Sequence, residues 1–152
     1  MKKLFLLALL ALSTSAALAA EAYTVVLKAK GDYASVRDSV QMAIESQGLK
    51  INSVNHIADM LDRTGKDLGA TRKVYEGAEQ FEFCSARISR DMMEADPHAI
   101  VMCPYIISVY TIPGDKTVYV SYRKPVQTRN PKLGKVLIEI EKLLTKIIKE
   151  AI

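Results

Sequence analysis

At 152 residues, with 49% apolar and 25% charged side chains and a formal net charge of +4, the chain is long enough for one hydrophobic core and too short for two ordinary domains. Its two cysteines, Cys84 and Cys103, are too far apart for a Cys-x-x-Cys redox motif or a local zinc knuckle. Basic residues are interleaved with acids instead of massed on one face among aromatics, which argues against a nucleic-acid surface.

Met1, Lys2 and Lys3 precede an apolar run from Leu4 to Leu12, and small residues from Ser13 to Ala20 separate that run from Glu21. A positive start, an apolar stretch too short to span a bilayer and a small-residue tail are the three parts of a signal peptide. Ala17-Leu18-Ala19 places the expected cut before Ala20, with a cut before Glu21 as the alternative. Residues 1–19 are therefore expected to be removed and residues 20–152 to form a single exported domain, periplasmic or secreted. No later segment reaches the ~20 apolar residues of a membrane span. Taking Lys2 and Lys3 from the 21 basic residues leaves 19 against 17 acids, a net charge of +2, so part of the basic character belongs to the leader.

Tyr23 to Ala29 is rich in β-branched and aromatic residues and predicts a first strand, broken at Gly31-Asp32. Ser35-Val36-Arg37-Asp38 has capping-box spacing ahead of a helical apolar pattern at Val36, Val40, Ala43 and Ile44, with Gly48 as the stop. Leu49 to Val54 suits a short strand, and Asn55 is the expected cap of a helix running through Ile57, Met60 and Leu61 to Gly65. Thr71 to Phe83 predicts a strand with an irregularity. Ser85 opens a short helix with Ile88 and Met92 on one side, ended by Asp96-Pro97.

Ile100 to Ile112, Pro113-Gly114-Asp115 and Thr117 to Arg123 read as a hairpin, since proline presets one turn angle and glycine supplies the positive one. Pro104 cannot donate a ladder hydrogen bond, so the first arm is expected to be an edge strand or to carry a bulge beside Cys103. Asn130-Pro131 then places an N-cap before a proline at the first helical position. Leu133, Val136, Leu137, Ile140, Leu143, Leu144, Ile147 and Ile148 follow at helical spacing, the apolar stripe of a long C-terminal helix. The order β-α-β-(α)-β-α-β-β-α predicts an α+β domain: a mainly antiparallel sheet of four to five strands with helices on one face.

From about Tyr33 to Pro125 the chain resembles the bacterial domain of unknown function numbered three hundred and two. The residues that carry the resemblance are Gln47-Gly48-Leu49-Lys50-Ile51, Asp96-Pro97, Met102-Cys103-Pro104-Tyr105 leading into Ser108-Val109-Tyr110, and Val118 to Pro125. The resemblance implies a small α+β domain with a TBP-like arrangement. It supplies no activity and no catalytic residues. A longer middle, the Phe83-Cys84 pair and the lysine-rich C-terminal helix are departures that imply an exported subgroup.

The residues that could carry chemistry are few. Cys84 and Cys103, on adjacent elements of an exported domain, are expected to form a structural disulfide worth ~3 kcal/mol by loop entropy; free or redox-active thiols are alternatives. Cys84, His98, Cys103 and Met92, with Met93 and Met102 nearby, form a candidate soft-metal set suited to copper(I), although alternation would aim Met102 and Cys103 to opposite faces of a strand. His56 lies far from His98 in sequence, no Ser, His and acid spacing marks a nucleophile, and no glycine pattern cradles a phosphate. No residue set recommends an enzyme. Tyr105, Tyr110, Tyr119 and Tyr122 gather on the hairpin as a candidate ligand surface for a small molecule or a partner protein. The chain thus reads as a binding or accessory domain, monomeric or homodimeric, with redox or copper(I) handling as the alternative.

Overall fold

The computed structural model describes residues 23–152; the expected leader lies outside them. The chain forms β1 (Thr24–Ala29), α1 (Tyr33–Ser46), β2 (Ile51–His56), α2 (Ile57–Asp67), β3 (Gly77–Phe83), α3 (Ala86–Ala95), a 3-10 helix (Pro97–Met102), β4 (Tyr105–Thr111), β5 (Val118–Arg123) and α4 (Pro131–Ala151). The five strands make one sheet in the order β1-β5-β4-β3-β2, each neighbouring pair antiparallel. The α+β order read from the sequence is present, with the 3-10 helix added.

Helix starts follow from side chains that accept the free amides of a first turn. Asn130 Oδ1 accepts from Lys132 N at 3.0 Å and Leu133 N at 3.2 Å, and its Nδ2 donates to Ala95 O at 3.0 Å, which ties the start of α4 to the end of α3. Ser85 caps α3 through Ile88 N. In α1 the cap is Asp32 and not Ser35. Asp32 accepts from Ser35 N at 3.0 Å and from the Ser35 hydroxyl at 2.7 Å, so the helix starts a turn earlier than expected and Ser35 becomes a donor. Asn55 is not a cap either: it lies in β2 and donates to Glu82 Oε1 at 2.6 Å. The helix after it continues past Gly65 to Asp67, and the positive φ of 68° falls at Gly69.

The hairpin turn is as the sequence predicts, with Asp115 N bonded to Ile112 O at 3.0 Å across Pro113-Gly114 and Gly114 at φ 79°. The arm before it is corrected. Residues 97–102 wind into a 3-10 helix, and β4 begins at Tyr105, after Pro104, so the proline withholds no ladder bond. That leaves β4 free to sit centrally between β3 and β5. The register irregularity lies instead in β2, between Ile51 and Ser53, and β3 is shorter than the predicted Thr71–Phe83.

Alternation sends Phe81 and Phe83 of β3, Tyr105, Ile107 and Val109 of β4, and Val118, Val120 and Tyr122 of β5 to one face, where all are buried. Leu133, Leu137, Ile140, Leu144, Ile147 and Ile148 of α4 join them, with Val36, Val40 and Ile44 of α1 and Ile88 and Met92 of α3. Helix α2 stands apart from this layer and packs beside β3, with Ala58 its one buried residue. At the C-terminal end of α1, Gln47 donates to Glu150 at 2.7 Å and accepts from Lys146 Nζ at 2.8 Å, fastening α1 to α4. Among the described residues no helix is long and apolar enough to cross a membrane.

Because Ile147 is fully buried and Ile138 is 56% exposed on the same helix, Ile147→Ala is expected to cost about 2–5 kcal/mol and Ile138→Ala under about 0.5 kcal/mol. Urea unfolding of both variants checks this, and equal losses would mean that α4 presents another face to the sheet.

Candidate ligand-binding face

The alternation that fills the core also composes the opposite face of the sheet. Ala78 pairs with Tyr110 and Tyr110 with Tyr119, which in turn faces Lys28. One step along, Gln80 pairs with Ser108, Ser108 with Ser121, and Ser121 with Val26. An aromatic row therefore lies beside a polar row. The rings of Tyr110 and Tyr119 stack at 5.3 Å with an interplanar angle of 18°, and Tyr75, from the segment between α2 and β3, meets Tyr110 edge-on at 5.5 Å. Gln80 Nε2 donates to Ser108 Oγ at 3.1 Å in the neighbouring row. Tyr75, Ala78, Gln80, Ser108, Tyr110 and Ser121, together with Tyr23, Thr24, Val26 and Ile57, line a groove of about 610 Å³, with Tyr119 stacked behind Tyr110.

The four hairpin tyrosines proposed from the sequence do not form one surface. Tyr110 and Tyr119 are on the open face. Tyr105 and Tyr122 point into the helical layer, where Tyr122 Oη lies 3.0 Å from Thr145 Oγ1 and Tyr105 Oη lies 3.2 Å from Ser89 Oγ. Burial pushes the Tyr105 phenol up to about 12. Tyr75 takes the place of the missing members. Its distance from the hairpin in sequence hid it, because only the β3–β4 pairing brings that segment beside Tyr110.

A polar cluster lies at the Gly77 end of β3. The Tyr33 ring passes over Gly77, where an added Cβ would come within 3.0 Å of it. Glu79, whose side chain is 14% exposed, faces His56 Nδ1 at 3.6 Å and Arg37 Nη1 at 3.9 Å. Burial, reinforced by the Glu79 charge, holds the Tyr33 phenol at about 12. Glu79 also borders the groove and is the one charged residue in its lining.

The disulfide expected between Cys84 and Cys103 is not formed in this structure, where the two are adjoining free, half-buried thiols. Burial pushes the Cys84 thiol up, and the adjoining Cys103 raises it further. Cys103 Sγ lies 3.2 Å from Ser89 Oγ. Neither Met102 nor Cys103 lies in a strand, so the alternation expected of them does not apply. Of the other candidate metal ligands, Met92 is fully buried in the core and His98 is exposed on the 3-10 helix. Among the described residues no three His, Cys, Asp or Glu side chains are grouped to hold a metal ion.

The tyrosine stacked behind Tyr110 is anchored by the turn. Tyr119 Oη donates to Asp115 Oδ2 at 2.6 Å while Thr117 N donates to Asp115 Oδ1 at 2.8 Å. These bonds, the phenol's first, hold the Asp115 carboxyl at about 2, below its ordinary 3.8, and the same contact raises the Tyr119 phenol. A carboxyl depressed by folding adds stability that is present above its unfolded value and disappears as pH falls through the folded one, here from about 4 towards about 2. Tyr119→Phe is expected to return Asp115 towards 3.8. A carboxyl-carbon NMR titration reads this directly, and an unmoved value would assign the depression to the Thr117 amide alone.

A search of curated proteins found no match. Among solved structures, the crystal structure of an uncharacterized conserved DUF302 protein from Bacillus stearothermophilus superposes with a TM-score of 0.72 at 13% identity, covering 86% of this chain and 99% of that one. That likeness is one of fold. The family model described as domain of unknown function DUF302 matches residues 23–151, beyond the 33–125 span over which the sequence shows its resemblance. The match takes in β1 and α4, so the C-terminal helix is part of the family domain and not an addition to it. The chain belongs to the DUF302 family.

Proposed function

We propose that this is an exported binding domain that holds a small, neutral, planar ligand on the open face of its sheet. The observation that carries the reading is the wall formed by Tyr75 and Tyr110, the latter backed by the stacked Tyr119 ring, over a groove of about 610 Å³. That volume falls within the range of ordinary small-molecule sites, roughly 300–1,000 Å³, which combine apolar walls with a few polar groups that fix orientation. Here the ring faces supply the walls, and Gln80, Ser108 and Ser121 supply amide and hydroxyl groups. The one charged residue in the lining is the Glu79 carboxylate at its border, and no lysine or arginine joins it in the lining, which disfavours an anionic ligand. Export is supported by the residues of the leader, Lys2-Lys3, Leu4 to Leu12 and Ala17-Leu18-Ala19.

The chain has no tryptophan, so an extrinsic dye can be followed without background from that residue. N-phenyl-1-naphthylamine, a neutral dye with two flat aromatic groups, is expected to bind saturably with one site per chain. Tyr75→Ala and Tyr110→Ala should each weaken it about tenfold, equivalent to roughly 1.4 kcal/mol, while Ile138→Ala on the far side of α4 leaves it unchanged. Non-saturating binding, or binding indifferent to both tyrosine substitutions, would refute a ligand site on this face. Export has its own measurement: the intact mass of the protein recovered after expression of the whole chain should begin at Ala20 or Glu21. A mass that retains Met1 would overturn the leader reading without touching the groove.

A further inference from the structure

Cys84 directly follows β3, Cys103 directly precedes the Pro104-Tyr105 start of β4, and Phe83 pairs with Tyr105 at the end of that ladder. The two thiols are therefore carried by segments that run side by side. Helix α3 crosses between them in sequence and returns Ser89, whose hydroxyl lies 3.2 Å from Cys103 Sγ and 3.2 Å from Tyr105 Oη. Both cysteines are half-buried, neither sealed in the core nor fully open.

We propose that Cys84 and Cys103 are a dithiol site that exchanges with an external disulfide, with Cys103 as the attacking sulfur and Ser89 as its positioning residue. Cys103 gives its proton to solvent, and its thiolate attacks one sulfur of the donor disulfide. The donor S–S bond breaks, a mixed disulfide forms on Cys103, and one donor thiolate leaves. Cys84 then loses its proton and attacks Cys103 Sγ, which forms the internal bond and expels the second donor thiolate. Two electrons pass from the cysteine pair to the donor, and two protons end on the two donor thiols.

The order of attack follows from the surroundings. Once Cys103 has lost its proton its sulfur can only accept, so the Ser89 hydroxyl 3.2 Å away turns donor and stabilises that thiolate, whereas burial keeps the proton on Cys84. The site is independent of any ligand in the tyrosine groove. That an oxidising compartment supplies the donor rests on the export reading, but the test needs no compartment.

The reduced, purified protein is titrated with glutathione disulfide and followed by intact mass after alkylation. The expected product has lost two hydrogens, resists alkylation until reduced, and melts roughly 5–10 °C higher, as closure of a loop of this length predicts. Cys84→Ser should stop at one glutathione adduct on Cys103, while Cys103→Ser should react at Cys84 about tenfold more slowly. In the Cys84→Ser background, Ser89→Ala should raise the pH midpoint of adduct formation by about one unit, and Ser89→Thr should restore it. Adducts on both cysteines with no internal bond, or thiols that stay reduced, would overturn the site. An unmoved midpoint in Ser89→Ala would overturn the role of Ser89.

Discussion

The sheet can bury one face only, and α4 decides which. Its stripe of leucine and isoleucine from Leu133 to Ile148 cannot remain in water, and with α1 and α3 it covers the face that carries Phe81, Phe83, Ile107, Val109, Val118 and Val120. Burying a side chain of this size is worth about 1.5–3 kcal/mol, so a slip of one residue in any central strand, which would turn its apolar set outward, is strongly disfavoured. The same register therefore also decides which residues the other face carries. Ala78, Tyr110 and Tyr119 fall in one row, and Gln80, Ser108 and Ser121 in the next, because their neighbours are committed to the core.

The tyrosines show how one residue type serves both faces. Inward, Tyr105 and Tyr122 bury their rings and keep a partner for each hydroxyl, Ser89 on α3 and Thr145 on α4. Each contact keys a helix to a particular strand, which apolar packing alone does less selectively because it lacks direction. Outward, Tyr110 and Tyr119 stack on each other, and Asp115 in the turn holds the Tyr119 hydroxyl. The turn thus fixes hairpin geometry and also orients the ring that backs Tyr110.

Much of this was legible in the sequence, for identifiable reasons. The long stripe of α4, its Asn130-Pro131 start, the Ser85 cap and the Pro113-Gly114 turn are local signals, and each element stands where its signal lies. What failed depended on competition or on partners distant in sequence. Ser35 lost to Asp32 because the acid, three residues earlier, takes the Ser35 amide and hydroxyl together. Pro104 ended a 3-10 segment instead of marking an edge, and that depends on where the neighbouring strands pair. The division of the tyrosines was within reach: Tyr105 and Tyr110 are an odd number of positions apart, as are Tyr119 and Tyr122, and period-two alternation sends such pairs to opposite faces. Tyr75 and the cluster around Glu79 were not, since Tyr75 is brought in by a connecting segment and the cluster joins Tyr33 and Arg37 of α1 to His56 of β2 and Glu79 of β3.

Both candidate sites take their position from β4. Its outward Tyr110 and Ser108 stand in the groove, while the residues immediately before the strand carry Cys103 and its inward Tyr105 shares the Ser89 hydroxyl with that thiol. From Ile107 to Thr111 the strand has ladder bonds to both β3 and β5, so Ser108 and Tyr110 are held by two neighbours, while the Tyr105 end beside Cys103 is paired with β3 alone. Tyr75 is the exception, since it reaches the groove from the segment between α2 and β3 and is located by ring contact with Tyr110. The groove therefore joins a floor set by the sheet to one wall carried by a connecting segment, and adjustment to different ligands is expected at that wall before any other.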